Sequence, residues 1–324
     1  MSRRPRFLTG IFNTSDIDPE RRGTLMLIGG LGILVVFALV LIAYGYYSQN
    51  VKPRGETVFS VGDRDYDYAY LEKRVDADIA SGEFQVNNIQ TSVANTVLKI
   101  QNEELVRLTA SEKGISITDE ELEARMRQEL NVPEDAPRER FASALQLELQ
   151  NSGLSLSQYE EIVTSLALED KLREQLASTV PAEGEQVDLL ILQTATRETA
   201  QAALDRINSG EEFQDVAQEV SVHTSKQVGG EFGWAPRGLL PKSIEDVVFA
   251  LTGRSQVVQD NLGFFVFEVR DKQTRPIDES LKERVVQSQL NETITATRTA
   301  AGVTNSLTIG QVQDLAQHIQ DSIG

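Results

Sequence analysis

The chain has 324 residues, 40% hydrophobic and 25% charged, which is room for two globular domains. Its formal net charge of −18 excludes the basic face that nucleic acid requires. Without Cys, disulfides, thiolate metal sites and Cys nucleophiles are excluded; the two histidines, His223 and His318, are too few for a histidine-rich metal site and argue against a Ser-His-Asp triad. No metal or cofactor is expected.

Residues 1–22 are polar, carry Arg3, Arg4, Arg6, Arg21 and Arg22, and read as a short disordered tail. Residues 23–47 contain no charged side chain and are rich in Leu, Ile and Val. About 20 such residues cross the hydrocarbon core of a bilayer. Tyr44, Tyr46 and Tyr47 stand at the distal end, where an interfacial aromatic belt forms. A cleaved signal peptide is the rival reading, but the run is too long and no small-x-small site follows it. Arg21 and Arg22 precede the span, so the expectation is a single-pass protein of the plasma (inner) membrane. Its N-terminus would be cytoplasmic and the bulk of the chain extracytoplasmic.

Residues 48–65 read as a linker ending in a strand-like piece, Thr57–Val61. A helical module is expected over 66–180. Ile89, Val93, Val97 and Ile100 lie on one stripe of a helix from Asn88 to Lys113, which Gly114 ends. Thr118 with Glu121, and Ser155 with Gln158, have capping-box spacing. The second box opens a long helix from Leu156 that Pro181 stops. Another helix lies near 138–151, closed by Ser152-Gly153.

At Gln186–Thr194 the period changes to a continuous apolar run of strand length. Helices follow at Glu198–Asn208 and Phe213–Val220, then a glycine-rich loop over 221–238 that holds the only Trp in Gly229-Gly230-Glu231-Phe232-Gly233-Trp234. A helix at Ser243–Leu251 and short strands near 255–258 and 264–269 complete a β-α-α-loop-α-β-β order. The fold class expected is α+β, a small antiparallel sheet with packed helices behind an all-α module. The tail, 274–324, reads as helical, with helices at 278–297 and 309–323.

The apolar first strand, Gly210-Glu211-Glu212-Phe213, Ser221, the Gly229–Trp234 stretch, Arg237-Gly238, Phe249-Ala250-Leu251 and Gly263 together resemble a parvulin-type peptidyl-prolyl isomerase domain, over 184–273. Lys113-Gly114-Ile115-Ser116-Ile117-Thr118-Asp119-Glu120-Glu121-Leu122 and Gly153-Leu154-Ser155 resemble the N-terminal chaperone module of the SurA, PrsA and PpiD group. The resemblance implies an extracytoplasmic foldase whose partners are unfolded or newly translocated, proline-containing polypeptides. It places Phe232, Leu240 and Ile244 at the apolar socket for the proline ring. It also places Leu189 and Phe265 where the family carries its two strand histidines, and His223 at the Cys or Asp position. The polar set is therefore largely replaced. The resemblance implies peptide binding through Leu189, Phe232, Leu240, Ile244 and Phe265, with weak or absent isomerase activity. An active isomerase with His223 as its catalytic polar group, and a non-catalytic assembly subunit of a membrane complex, are the two alternatives.

Overall fold

The computed structural model describes residues 53–83 and 85–323, together with Leu39. The expected tail at 1–22 and, apart from Leu39, the expected anchor at 23–47 lie outside the described residues. No helix among the described residues is long and apolar enough to cross a membrane.

The described chain opens with a hairpin, β1 (Thr57–Val61) and β2 (Arg64–Asp67). Asp67 then caps α1 (Tyr68–Ala80), its carboxylate accepting the Tyr70 N–H at 2.8 Å. Four helices follow: α2 (Ile89–Glu112), α3 (Asp119–Glu129), α4 (Arg138–Ser152) and α5 (Leu156–Thr179). Both expected capping boxes form. Glu121 accepts the Thr118 N–H at 2.8 Å, and Gln158 accepts the Ser155 N–H at 3.0 Å.

α3, α4 and α5 close a small core of Met126, Tyr159 and Val163 among themselves, but the larger core around α1 and α2 is not closed by these helices alone. The sheet order is β2-β1-β8, and β8 (Val303–Asn305) comes from the far end of the chain. Phe59, Leu71, Ile100, Leu105 and Leu172 share one core with Leu290 and Ile294 of α9 (Glu279–Ala301) and Leu315 and Ile319 of α10 (Ile309–Ile323). The strand expected at Thr57–Val61 thus belongs to a three-stranded sheet that completes the helical unit, and only Tyr66 and Asp67 of β2 extend it into the module expected to be helical. The apolar stripes of α2 and α5 need the C-terminal helices to leave water. Polar contacts follow the same seam: Thr109 Oγ1 donates to Thr297 Oγ1 at 2.9 Å, and Arg298 to Gln101 at 3.0 Å. Arg74 is 1% exposed, and its burial is offset by a two-pronged pair with Glu103, both bonds at 2.7 Å.

Between α5 and α9 runs the second unit. It contains β3 (Glu183–Thr194), α6 (Arg197–Asn208), α7 (Phe213–Val220), β4 (Glu231–Pro236), α8 (Lys242–Ala250), β5 (Gly253–Arg254), β6 (Val258–Asp260) and β7 (Gly263–Pro276). The antiparallel sheet has the order β4-β3-β7-β5, with β6 also on β7. β3 is apolar on consecutive residues because both its faces are covered. Val187, Leu189 and Ile191 join Phe265 and Phe267 under α8. Leu190, Leu192 and Val266 pack on α6 and α7.

Two sequence expectations are corrected here. The glycine stretch at 229–234 is not all loop, because Glu231–Pro236 pairs with β3 as an edge strand. The β3 and β7 strands are also longer than their apolar runs. They stay paired through the polar ends Glu183↔Pro276 to Val187↔Lys272, where the buried Gln186 amide adds to the backbone ladder by donating to the Arg275 and Pro276 carbonyls at 3.2 and 3.0 Å.

Val285 of α9 sits in the core under α8, while Leu290 of the same helix sits in the core of the helical unit. Leu290 is 1% exposed, so Leu290→Ala is expected to cost about 2–5 kcal/mol. In urea, far-UV circular dichroism and the fluorescence of Trp234, which lies in the other unit, should shift to the same lower midpoint. A shift in the dichroism alone would show that α9 does not couple the two units.

Candidate functional site

The site is assembled on the edge of the β3–β4 pair. Leu189 lies opposite Gly233 and Leu190 opposite Glu231, so Phe232 is an extra residue on β4. A bulge of this kind turns its side chain out of the strand's alternation. Gly233 has φ +83°, with open space where a Cβ would stand, so the glycine serves the backbone rather than a close neighbour. Gly230 serves the other purpose. Its carbonyl accepts the Ile191 N–H at 2.8 Å, and a Cβ there would stand 2.6 Å from the Ile191 carbonyl oxygen.

The segment before β4 carries His223. Ser221 Oγ is buried and accepts both the Gln193 N–H at 3.2 Å and the His223 N–H at 3.1 Å, which ties this segment to β3. His223 begins a short 3-10 turn, Thr224–Val228. Its Nδ1 accepts the Ser225 N–H at 3.2 Å and lies 2.7 Å from Ser225 Oγ. With Nδ1 used as an acceptor, the hydrogen-bond network assigns the neutral ring's proton to Nε2. Burial pushes His223 below the usual histidine range, so it is neutral at pH 7. Its ring centre is 6.3 Å from that of Phe232.

All five apolar site residues named from the sequence come together. Leu189, Leu240, Ile244 and Phe265 belong to one buried core, and Phe232 packs against it. Four of them are closed to solvent: Leu189 is 0% exposed, Phe265 3%, Ile244 4% and Leu240 6%. Phe265 stacks on Phe267, with ring centres 5.5 Å apart. In this conformation these four are core, and Phe232 with His223 forms the accessible edge. His318 belongs elsewhere, joining α10 to α1 through a 2.9 Å contact with Asp76.

Three contributors were not identified from the sequence. Arg284 of α9 lies 5.5 Å over the Phe232 ring. Glu245 of α8 is buried and accepts the Gly238 N–H, fixing the turn after β4. Ser225 orients the His223 ring. Arg284 is about fifty residues from Phe232, and no local spacing announces it. The His-x-Ser spacing of His223 and Ser225 was readable as a cap.

Isomerising a prolyl bond breaks no covalent bond, but must overcome a barrier of about 18–20 kcal/mol set by amide resonance. An apolar socket, exclusion of water and a polar group near the amide lower it. Here Leu189 and Phe265 present only hydrocarbon. Nε2 of His223 is the ring donor beside Phe232.

Residues 185–273 match the PPIC-type PPIASE domain family. This segment of the chain is a parvulin domain and belongs to that family. The chain is 22% identical to the foldase protein PrsA of Bacillus subtilis (strain 168), over 70% of this chain and 77% of that protein. It is 33% identical to foldase protein PrsA 3 of Bacillus anthracis, over 29% of this chain and 36% of that protein. To the periplasmic chaperone PpiD of Escherichia coli (strain K12) it is 31% identical, over 25% of this chain and only 14% of that protein.

Replacing His223 by Ala removes the acceptor that caps the 3-10 turn and should cost about 0.5–2 kcal/mol, with His223→Asn recovering most of it. The pH dependence has a definite sign. The folded imidazole titrates below its unfolded value of about 6.5, so between the two values the unfolded chain binds more protons. Stability is therefore complete above about pH 6.5 and falls as pH drops through the folded value. Urea midpoints measured from neutral to mildly acidic pH should show this slope in the native chain, and a shallower one in His223→Asn.

Proposed function

We propose that this chain is a membrane-anchored extracytoplasmic foldase that holds non-native polypeptides, and that its parvulin domain binds extended peptide while isomerising prolyl bonds weakly or not at all. The single observation that carries the reading is the hydrocarbon lining at Leu189 and Phe265, buried with Leu240 and Ile244 beneath Phe232. Apolar peptide side chains find complementary surface at Phe232. The amide finds no polar network on the two central strands. Similarity to proteins named foldase and periplasmic chaperone supports the client class. The uncharged run at 23–47 behind Arg21 and Arg22 supports the anchor and its orientation. The net charge of −18 keeps a client-loaded complex soluble.

One observation favours a second reading, an active isomerase. The neutral His223 ring lies 6.3 Å from that of Phe232, with Nδ1 used as an acceptor and the Nε2 proton left as the donor it would offer a bound amide. A prolyl-peptide isomerisation assay on the full chain, run beside suppression of aggregation of an unfolded protein, separates the readings. The foldase reading expects clear suppression. It also expects kcat/KM on the order of 100-fold below that of a parvulin retaining both strand histidines. Near-normal kcat/KM that His223→Ala abolishes would establish the isomerase instead. Absence of both activities would leave the domain as an assembly surface.

A further inference from the structure

The second candidate surface lies far from the parvulin site, in the helical unit. α2, β8 and α10 border an open cleft of about 640 Å³. None of its lining residues is charged, in a chain where a quarter of all residues are. Val93 and Val97 form its floor, 1% and 4% exposed. Leu98 and Ile309 rise on its rim, 53% and 78% exposed. Large aliphatic side chains left this open mark a surface made to be covered.

The backbone of β8 identifies what covers it. β8 is an edge of the β2-β1-β8 sheet, and among the described residues no further strand pairs with it. Ser60 is opposite Thr304, while Gly62 N–H donates to Gly302 O at 3.0 Å and Ser306 N–H to Val58 O at 2.8 Å. Antiparallel alternation then directs the N–H and C=O of Thr304 towards β1 and those of Val303 and Asn305 away from it. Val303 and Asn305 line the cleft. An unpaired strand edge beside an apolar, uncharged trough is the combination that takes an extended peptide by strand addition.

We propose that β8 and this cleft bind an extended, uncharged segment of a non-native polypeptide as an added strand, with alternate apolar side chains set against Val93, Val97 and Leu98. This rests on the foldase reading and gives it a place and a mode. Backbone pairing makes capture independent of proline and tolerant of sequence, because the hydrogen bonds run to main chain. Side-chain alternation supplies the preference for aliphatic residues at every second position. Charge selects the occupant: two copies of a chain carrying −18 repel each other, whereas an uncharged segment enters an uncharged trough without desolvating an ion.

The test uses the full chain and a fluorescein-labelled, proline-free octapeptide with Val at alternate positions, read by fluorescence anisotropy. A second peptide carries N-methyl groups on alternate amides, which keeps the side chains and removes the outward donors. The native chain should bind the first peptide and bind the N-methylated one at least tenfold more weakly. Val303→Pro removes an edge donor behind Gly302, where proline is tolerated, and should weaken binding about tenfold. Leu98→Glu puts a charge on an exposed rim position with little effect on folding and should weaken it similarly. Equal binding of both peptides, unchanged affinity in both variants, or no binding to the native chain would each overturn the proposal. If the native chain fails to bind the peptide yet still suppresses aggregation, the foldase reading stands and only this site falls. If suppression is absent as well, both fall.

Discussion

The β3–β7 ladder is the constraint on which the rest of the molecule depends. It pairs continuously from Glu183↔Pro276 to Thr194↔Phe264, with one shift at Asp188/Leu189. Its apolar stretch divides the parvulin unit into two cores, one under α8 and one under α6 and α7. Its polar stretch acts at the other end. Because Glu183 must lie opposite Pro276, the end of α5 and the start of α9 are brought side by side. Arg173 on α5 then donates to Gln287 on α9 at 2.7 Å. From there α9 continues into the core of the helical unit, so the ladder fixes how α9 meets α2 and α5. Arg284 over Phe232 is a consequence of the same geometry, since it lies one residue from Val285.

That arrangement also decides what the site can do. Strand residues covered on both faces cannot carry a polar group without a partner, because an unpaired buried polar group costs several kcal/mol. Leu189 and Phe265 meet this requirement with hydrocarbon and make the centre of the sheet well packed but chemically plain. Polar function is left to the edge, where His223 is held by Ser221 and Ser225 on a segment docked to β3. The result is a closed apolar core with Phe232 at its edge, flanked by the neutral His223 imidazole and the Arg284 guanidinium. On the proposed reading, this arrangement holds a chain without driving the rotation of its amide.

The helices were legible because their signals are local. Thr118 with Glu121, Ser155 with Gln158, and Gly153 after Ser152 mark ends within a few residues. The strand cores were legible from their apolar runs. Elements without a hydrophobic signature were not. β2 is Arg-Asp-Tyr-Asp, β8 is three residues long, and the polar ends of β3 and β7 are held by backbone bonds and the Gln186 amide, with no apolar run to mark them. β4 was hidden by its glycines, which read as loop although they shape a bulge in a strand. Trp234 was expected in the glycine-rich loop. It lies in that strand under the Arg275 guanidinium, 4.2 Å from the ring, on the polar extension of β7 that the sequence did not reveal. The candidate apolar residues were found by resemblance and do converge. Their closure to solvent depends on packing against α8 and α9, which no spacing encodes.

Client capture without efficient isomerisation is the central claim, and it is tested most directly by refolding a protein whose slow phase is prolyl isomerisation in the presence of the full chain. The account predicts a higher yield of native client with the rate of the slow phase unchanged. A slow phase that accelerates in proportion to added chain, and returns to its uncatalysed rate with His223→Ala, would contradict it.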